Sequence, residues 1–264
     1  MPLSAINDLF EAILPANAFY GAKLGSLGVV QSMEEFRDRV PFTTKDELAA
    51  DHEAHSPYGS NLTYPLERYT RFHQTSGTRG NPLVWLDDPA GWNWVLKSWQ
   101  WVWSQAGAAP GDSGFFPFSF GPFIGFWSAF EAATEMGIRA IPGGGLSSEN
   151  RLRMIERHRP DFIACTPTYA LHLANVGKEM ALPVGELGVK ALVVCGEPGG
   201  SIPEVRRRLQ GEWNARVVDH HGMTETGPVT VSDPENPEVL RISPNAYHAE
   251  VVEAGNETRE VDVP

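Results

Sequence analysis

Two cysteines among 264 residues are too few for a disulfide framework, and Cys165 and Cys195 form no Cys-x-x-Cys pair. They read as small buried hydrophobes of a reducing compartment. Positive charge is also scarce. With 21 Lys and Arg against 33 Asp and Glu, the formal net charge is −12, and a field of that sign disfavours nucleic acid and anionic membrane surfaces. No stretch reaches the roughly 18 uninterrupted apolar residues of a membrane helix. Met1-Pro2-Leu3-Ser4 opens without the basic and apolar regions of a signal peptide. A soluble, cytoplasmic chain is expected. Its 42% hydrophobic and 20% charged residues provide for a substantial core.

What is present is an alternation. Residues 1–67 read as a helical leader, with Thr44 and Glu47 spaced as a capping box. Arg68 to His73 and Leu83 to Leu86 read as strands around a polar glycine loop. Trp92, Val95, Trp99, Val102 and Trp103 then recur at helical spacing, as one buried face. Phe115 to Phe120 reads as a strand, Phe123 to Met136 as a helix and Ile138 to Ile141 as a strand. A helix from about Glu149 that ends before Pro160, the strand Phe162 to Cys165, a helix over Tyr169 to Glu179 and the strand Ala191 to Cys195 follow. Ser201 and Glu204 form a second capping-box pattern ahead of a helix to Trp213, and Arg216 to Asp219 reads as a strand. Strands alternating with helices predict an α/β core over 68–240 with a largely parallel sheet, whose ligands gather beyond the strands' carboxyl ends. Thr166-Pro167, Gly196 to Ser201 and His220 to Gly227 fall at such ends.

Three segments carry candidate chemistry. Thr75-Ser76-Gly77-Thr78-Arg79-Gly80 combines hydroxyls, glycines and a guanidinium, the groups of a phosphate clamp, although an ordinary hairpin loop has a similar composition. It lacks the Gly-Lys-Ser/Thr of a Walker loop. In Asp219-His220-His221-Gly222-Met223-Thr224-Glu225, a glutamate after a strand end suits Mg²⁺ or is a solvated loop carboxylate. Adjacent histidines on extended backbone point apart, which disfavours a shared zinc. Gly196-Glu197-Pro198 is a flexible strand end suited to a flat ring.

Together these segments resemble the adenylate-forming enzyme superfamily and, within it, the phenylacetate–coenzyme A ligase family. Thr75 to Pro82 is similar to that family's Thr-Ser-Gly-Thr-Thr-Gly-Arg/Lys-Pro loop. His221 to Glu225 is similar to its Tyr-Gly-x-Ser/Thr-Glu motif, and Gly196-Glu197-Pro198 to its Ala-Glu-Pro. Asn17 to Tyr20 and Pro41 to Leu48 resemble its leader, so the likeness runs through nearly the whole chain.

The resemblance implies an adenylate-forming N-terminal domain with the start of an incomplete β-barrel over 241–264. It also implies a two-step ligase that adenylates a carboxylic acid with ATP and Mg²⁺ and passes the acyl group to coenzyme A. Thr75, Ser76, Gly77, Thr78, Arg79 and Gly80 would hold the β- and γ-phosphates. Gly196, Glu197 and Pro198 would border adenine, with His221 where an aromatic ring stacks on it and Gly222 beside it. Thr224 would contact the α-phosphate and Glu225 the metal. Phe118, Phe120, Gly121, Pro122 and Phe123 would receive an apolar or aryl acid, or serve as core packing. Arg79 and Asn81 depart from the family's threonine and basic residue. The family's ribose-binding aspartate, hinge and lysine-bearing C-terminal domain have no counterpart here, so that domain would be a partner in cis or trans. The expectation is therefore a fragment not fully active alone, with a non-catalytic nucleotide-binding protein of the same fold as the alternative. The unpaired strands of an incomplete barrel would favour a homodimer.

Overall fold

A computed structural model describes residues 2–77, 81–244, 246–253 and 256–260. The chain divides into two compact units, Met1–Gly91 with Pro244–Pro264, and Trp92–Ser243.

The first unit opens with α1 (Leu3–Ile13), α2 (Ala18–Leu24), α3 (Met33–Arg39) and α4 (Lys45–Ala54). Side-chain caps fix three of their starts. Asn17 accepts from the Tyr20 amide, Ser32 from the Glu35 amide, and Thr44 and Glu47 complete the predicted capping box. Ile6, Phe10, Leu24, Leu27 and Val30 form a small core. An antiparallel hairpin follows, β1 (Arg71–Gln74) with β2 (Val84–Asp87), in register from Arg71 opposite Asp87 to Gln74 opposite Val84. It starts later than the sequence suggests, because Leu66–Arg68 closes into a 3₁₀ turn after Pro65.

Most of α5 (Pro89–Gln105) lies in the second unit. There follow β3 (Ser113–Phe116), α6 (Ile124–Glu135), β4 (Arg139–Pro142), α7 (Ser148–His158), β5 (Phe162–Cys165), α8 (Pro167–Glu179), β6 (Ala191–Val194), α9 (Pro203–Trp213), β7 (Arg216–Met223), β8 (Gly227–Ser232) and β9 (Leu240–Ile242). The strands make one sheet in the order β4-β3-β5-β6-β7-β8-β9. The pairs from β4 to β7 are parallel, whereas β8 and β9 are added antiparallel.

Period-2 alternation explains the layers. Phe116, Phe162, Ala164, Ala191, Val193 and Val218 pack in one core with α5 and α6; Phe115, Ile163, Cys165, Leu192, Val194 and Val217 pack in another with α7, α8 and α9. The five apolar positions predicted on α5 are all buried. Trp103 and Trp213 are sealed from solvent, and their indole N–H groups donate to the Ala129 and Ala170 carbonyls, both at 3.0 Å.

Three sequence expectations need correction. The strand read over Phe115 to Phe120 ends at Phe116, since Pro117 has no N–H for the ladder, and the Phe118 amide turns back to the Phe116 carbonyl at 2.9 Å. Ser201 does not cap α9. Ile202 is the N-cap and makes no side-chain bond, and the Ser201 hydroxyl donates to the Asp219 Oδ2 atom at 2.6 Å. The strand read as Arg216 to Asp219 continues to Met223, so the histidines lie within a strand.

The chain returns to the first unit, where β10 (Val252–Glu253) pairs with β11 (Asn256–Glu260) in an antiparallel hairpin. Among the described residues no helix is long and apolar enough to cross a membrane.

Candidate functional site

Within the second unit, β3 pairs with both β4 and β5, so the connections leave it in opposite directions. Such a switch point opens a crevice beyond the strands' carboxyl ends. The Phe118–Phe123 segment starts there. Phe118 and Phe120 are half-buried, and Phe123 is 39% exposed. Phe118 stacks on Phe126 with centroids 4.3 Å apart and meets Phe120 edge-on at 5.3 Å; Phe120 also meets Trp127 at 4.8 Å and Phe130 at 5.2 Å. The Trp127 indole donates to the Gly121 carbonyl at 2.8 Å, which closes the loop onto α6. The result is an aromatic surface that is packed on its inner side and open at Phe123 and Trp127.

The loop after β6 lies along the same sheet edge, with β5 between it and β3. Gly196 turns at φ +88°, a conformation that favours glycine. The Glu197 carboxylate accepts from the Thr168 amide at 2.7 Å, while the Thr166 hydroxyl accepts from the Tyr169 amide at 3.2 Å. Two acceptors thus cover the N-terminus of α8, one of them a carboxylate favoured by the helix dipole. Gly200 is compulsory: a Cβ would come within 2.5 Å of Asp219 Cγ and 2.6 Å of Val194 Cγ2. The Asp219 and Glu197 carboxylates add to burial in pushing the Cys195 thiol up to about 12, and burial likewise raises Cys165, so both cysteines are protonated thiols.

The β7–β8 hairpin presents the third segment. Thr224, Glu225 and Thr226 form its turn, closed by the Thr226 amide to the Met223 carbonyl at 3.3 Å and by Gly227 at φ +70°. The register slips by one residue between His221 and Gly222, leaving an extra residue on β8. A Cβ on Gly222 would lie 2.7 Å from the Gly227 carbonyl oxygen, so the strands approach closely only because position 222 is bare. The two histidines diverge, as extended backbone requires. His220 is buried edge-on against Trp99, with centroids 4.5 Å apart, and its Nδ1–H donates to the Thr230 carbonyl at 2.8 Å. Burial holds its pKa down at about 4, so the ring is neutral. His221 faces outward, its amide on the Thr230 hydroxyl at 3.3 Å. Glu225 and Thr224 are half-buried at the tip. Among the described residues no three His, Cys, Asp or Glu side chains converge as a metal cage. Mg²⁺ keeps most of its shell as water and phosphate oxygen, so its binding does not require a cage of protein carboxylates.

In the first unit, the Thr75 amide extends the β1–β2 ladder to the Leu83 carbonyl at 2.9 Å, and its hydroxyl accepts from the Leu83 amide at 3.0 Å. Ser76 is exposed, and Gly77 turns at φ +70°. Thr78, Arg79 and Gly80 lie outside the described residues.

The second unit therefore gathers Phe118 to Phe123, Gly196 to Pro198 and His221 to Glu225 at one sheet edge. Sequence reasoning missed Asp219 as the anchor of Ser201, and it missed the Gly143–Gly145 turn with Arg151 and Tyr169 beside the aromatic loop. The glycine run after a strand was the available signal.

The AMP-binding enzyme family matches residues 75–260. A phenylacetate–coenzyme A ligase of Pseudomonas putida is 29% identical over 209 residues, covering 78% of this chain and 44% of its own length. One from Aromatoleum evansii is 26% identical over 236 residues, covering 83% and 50%. An open conformation of 2-hydroxyisobutyryl-CoA ligase, in complex with 2-HIB-AMP and CoA, superposes with a TM-score of 0.91 at 26% identity, over 98% of this chain and 62% of that one. The chain spans about half the length of the curated relatives it matches.

Proposed function

The chain belongs to the AMP-binding enzyme family, and from that premise we propose that it supplies the nucleotide and acid sites of an acid–thiol ligase. The observation that carries the reading is the meeting of an aromatic loop, a glycine-rich strand end and a threonine–glutamate turn at one edge of a parallel sheet. The acid's carboxylate oxygen attacks the α-phosphorus of ATP, the bond to pyrophosphate breaks, and an acyl-adenylate forms. A thiol then attacks the acyl carbon and AMP leaves. Coenzyme A is the acceptor we assign, because the relatives are named for it.

We assign the parts of this work as follows. Phe118, Phe120, Gly121, Pro122 and Phe123 receive an apolar or aryl acid. Gly196, Glu197 and Pro198 border the adenine, with His221 flat against it and bare Gly222 permitting close approach. Thr75 to Gly80 hold the terminal phosphates. The Thr224 hydroxyl would donate to the α-phosphate, and Glu225 would hold Mg²⁺, which when bound would neutralise phosphate charge. Catalysis of this kind rests on placement and electrostatics rather than on a protein nucleophile. A C-terminal domain, in cis or in trans, completes the thiol-transfer half.

Glu225→Gln tests the assignment by calorimetry. Mg²⁺–ATP should bind about tenfold or more weakly, because one charged contact is worth about 1.5–3 kcal/mol. AMP affinity should stay within about twofold. Equal losses for both ligands would remove the metal role from Glu225.

A further inference from the structure

The turn Gly143-Gly144-Gly145 follows β4 and lies directly against the start of the aromatic loop. The Gly143 amide donates to the Phe116 carbonyl at 2.9 Å. A Cβ at position 143 would stand 2.7 Å from the Phe115 ring and 3.1 Å from Pro117 Cα. At position 144 it would stand 3.1 Å from the Phe118 carbonyl oxygen and 3.6 Å from the Phe120 ring. Gly145 turns at φ +73°. On the other side, the turn is gripped by Arg151 of α7. Its Nε–H donates to the Gly143 carbonyl at 2.8 Å, and its Nη1 donates to the Tyr169 hydroxyl of α8, with the guanidinium 5.2 Å from the Tyr169 ring centroid. The Ser148 hydroxyl bonds the same Tyr169 hydroxyl at 3.2 Å.

We infer that this turn is the rear wall of the acid site, that bare Gly144 sets the depth available to the acyl group, and that Arg151 is a positioning residue that fixes the wall. The inference rests on the acid site proposed above. A methyl at Gly144 meets a backbone carbonyl and a ring already packed against three others, so the Phe118–Phe120 segment must yield toward the acid. An aryl acyl group fills more of that space than a two-carbon one and suffers more. Position 144 is exposed and needs no left-handed backbone, so alanine there leaves the turn's own conformation accessible.

The test measures affinity of the full chain for AMP and for two non-hydrolysable sulfamoyl-adenosine analogues, one carrying a phenylacetyl and one an acetyl group. Gly144→Ala should weaken the phenylacetyl probe about tenfold, the order of effect expected for a misfit of one methyl in an apolar pocket. Its affinity for AMP and the acetyl probe should move less than about twofold. Arg151→Gln should reduce the ratio between the two acyl probes, and Arg151→Lys, which can reach one of the two partners, should restore part of it. If Gly144→Ala binds the phenylacetyl probe like the wild type, and Arg151→Gln leaves the ratio unchanged, the wall assignment falls while the acid site stands. If neither acyl probe binds the wild-type chain more tightly than AMP, the acid site falls and the wall with it.

Discussion

Two hairpins carry polar signature segments, and they are built on opposite principles. The β1–β2 hairpin is an isolated pair of four-residue strands joined by a long loop, and one threonine holds the loop's neck through both its amide and its hydroxyl. The β7–β8 hairpin is part of the seven-stranded sheet, and its turn is three residues long. A two-stranded ribbon is marginal by itself, so the first must draw order from what it binds or packs against. The second takes its order from the sheet beneath it. If the proposed roles hold, the metal carboxylate is the one carried on the sheet-supported turn, where a functional group gains a fixed place.

The largest expected effect strikes the support of the second hairpin. Trp99 is 2% exposed and lies under His220, so Trp99→Ala should cost about 3–5 kcal/mol in urea unfolding. A loss below about 0.5 kcal/mol would mean that β7 does not depend on that indole.

His220 sharpens the contrast through pH. Its folded pKa lies near 4 against a usual 6.5, so between those values the unfolded chain binds the proton and the folded ring does not. Stability is fully present above pH 6.5 and drains as pH falls toward 4, by on the order of 3 kcal/mol. Unfolding at pH 7 and at pH 4.5 measures this, and His220→Asn should flatten that part of the profile. Parallel profiles for the two proteins would assign the loss elsewhere.

The smallest effect belongs to the first hairpin. Thr75→Val keeps the shape but leaves the Leu83 amide without its acceptor, at a cost of about 1–3 kcal/mol. Faster hydrogen exchange at Leu83, with little change in the second unit, is the expected signature; unaltered exchange there would show that the neck holds without the hydroxyl.

Much of this architecture was legible in the sequence. Phe162 to Cys165 and Ala191 to Val194 are unbroken apolar runs because the sheet is covered on both faces, and the tryptophan spacing marked the buried side of α5. The errors have a shared cause. His220 to Met223 look like loop residues, yet β8 supplies the ladder, and no local propensity reveals a partner strand further along the chain. Ser201 has the spacing of a cap, but instead of accepting from a helix amide its hydroxyl donates to the carboxylate of Asp219, eighteen positions away. The candidate segments were visible as segments. Their supports were not, because Gly200 against Asp219 and Gly143 against Phe115 are close approaches between distant stretches of chain.

The carboxylate of Glu197 on the first turn of α8 has a consequence for ionic ligands. That helix end already has a resident counter-ion, supplied by the protein itself. An incoming phosphate or carboxylate directed at the same amide would exchange with Glu197 rather than add to it, so its gain there would be the difference between two anions. The Glu197 loop would then have to move as the newcomer settled, which makes occupancy of the helix end and the posture of the loop a single event.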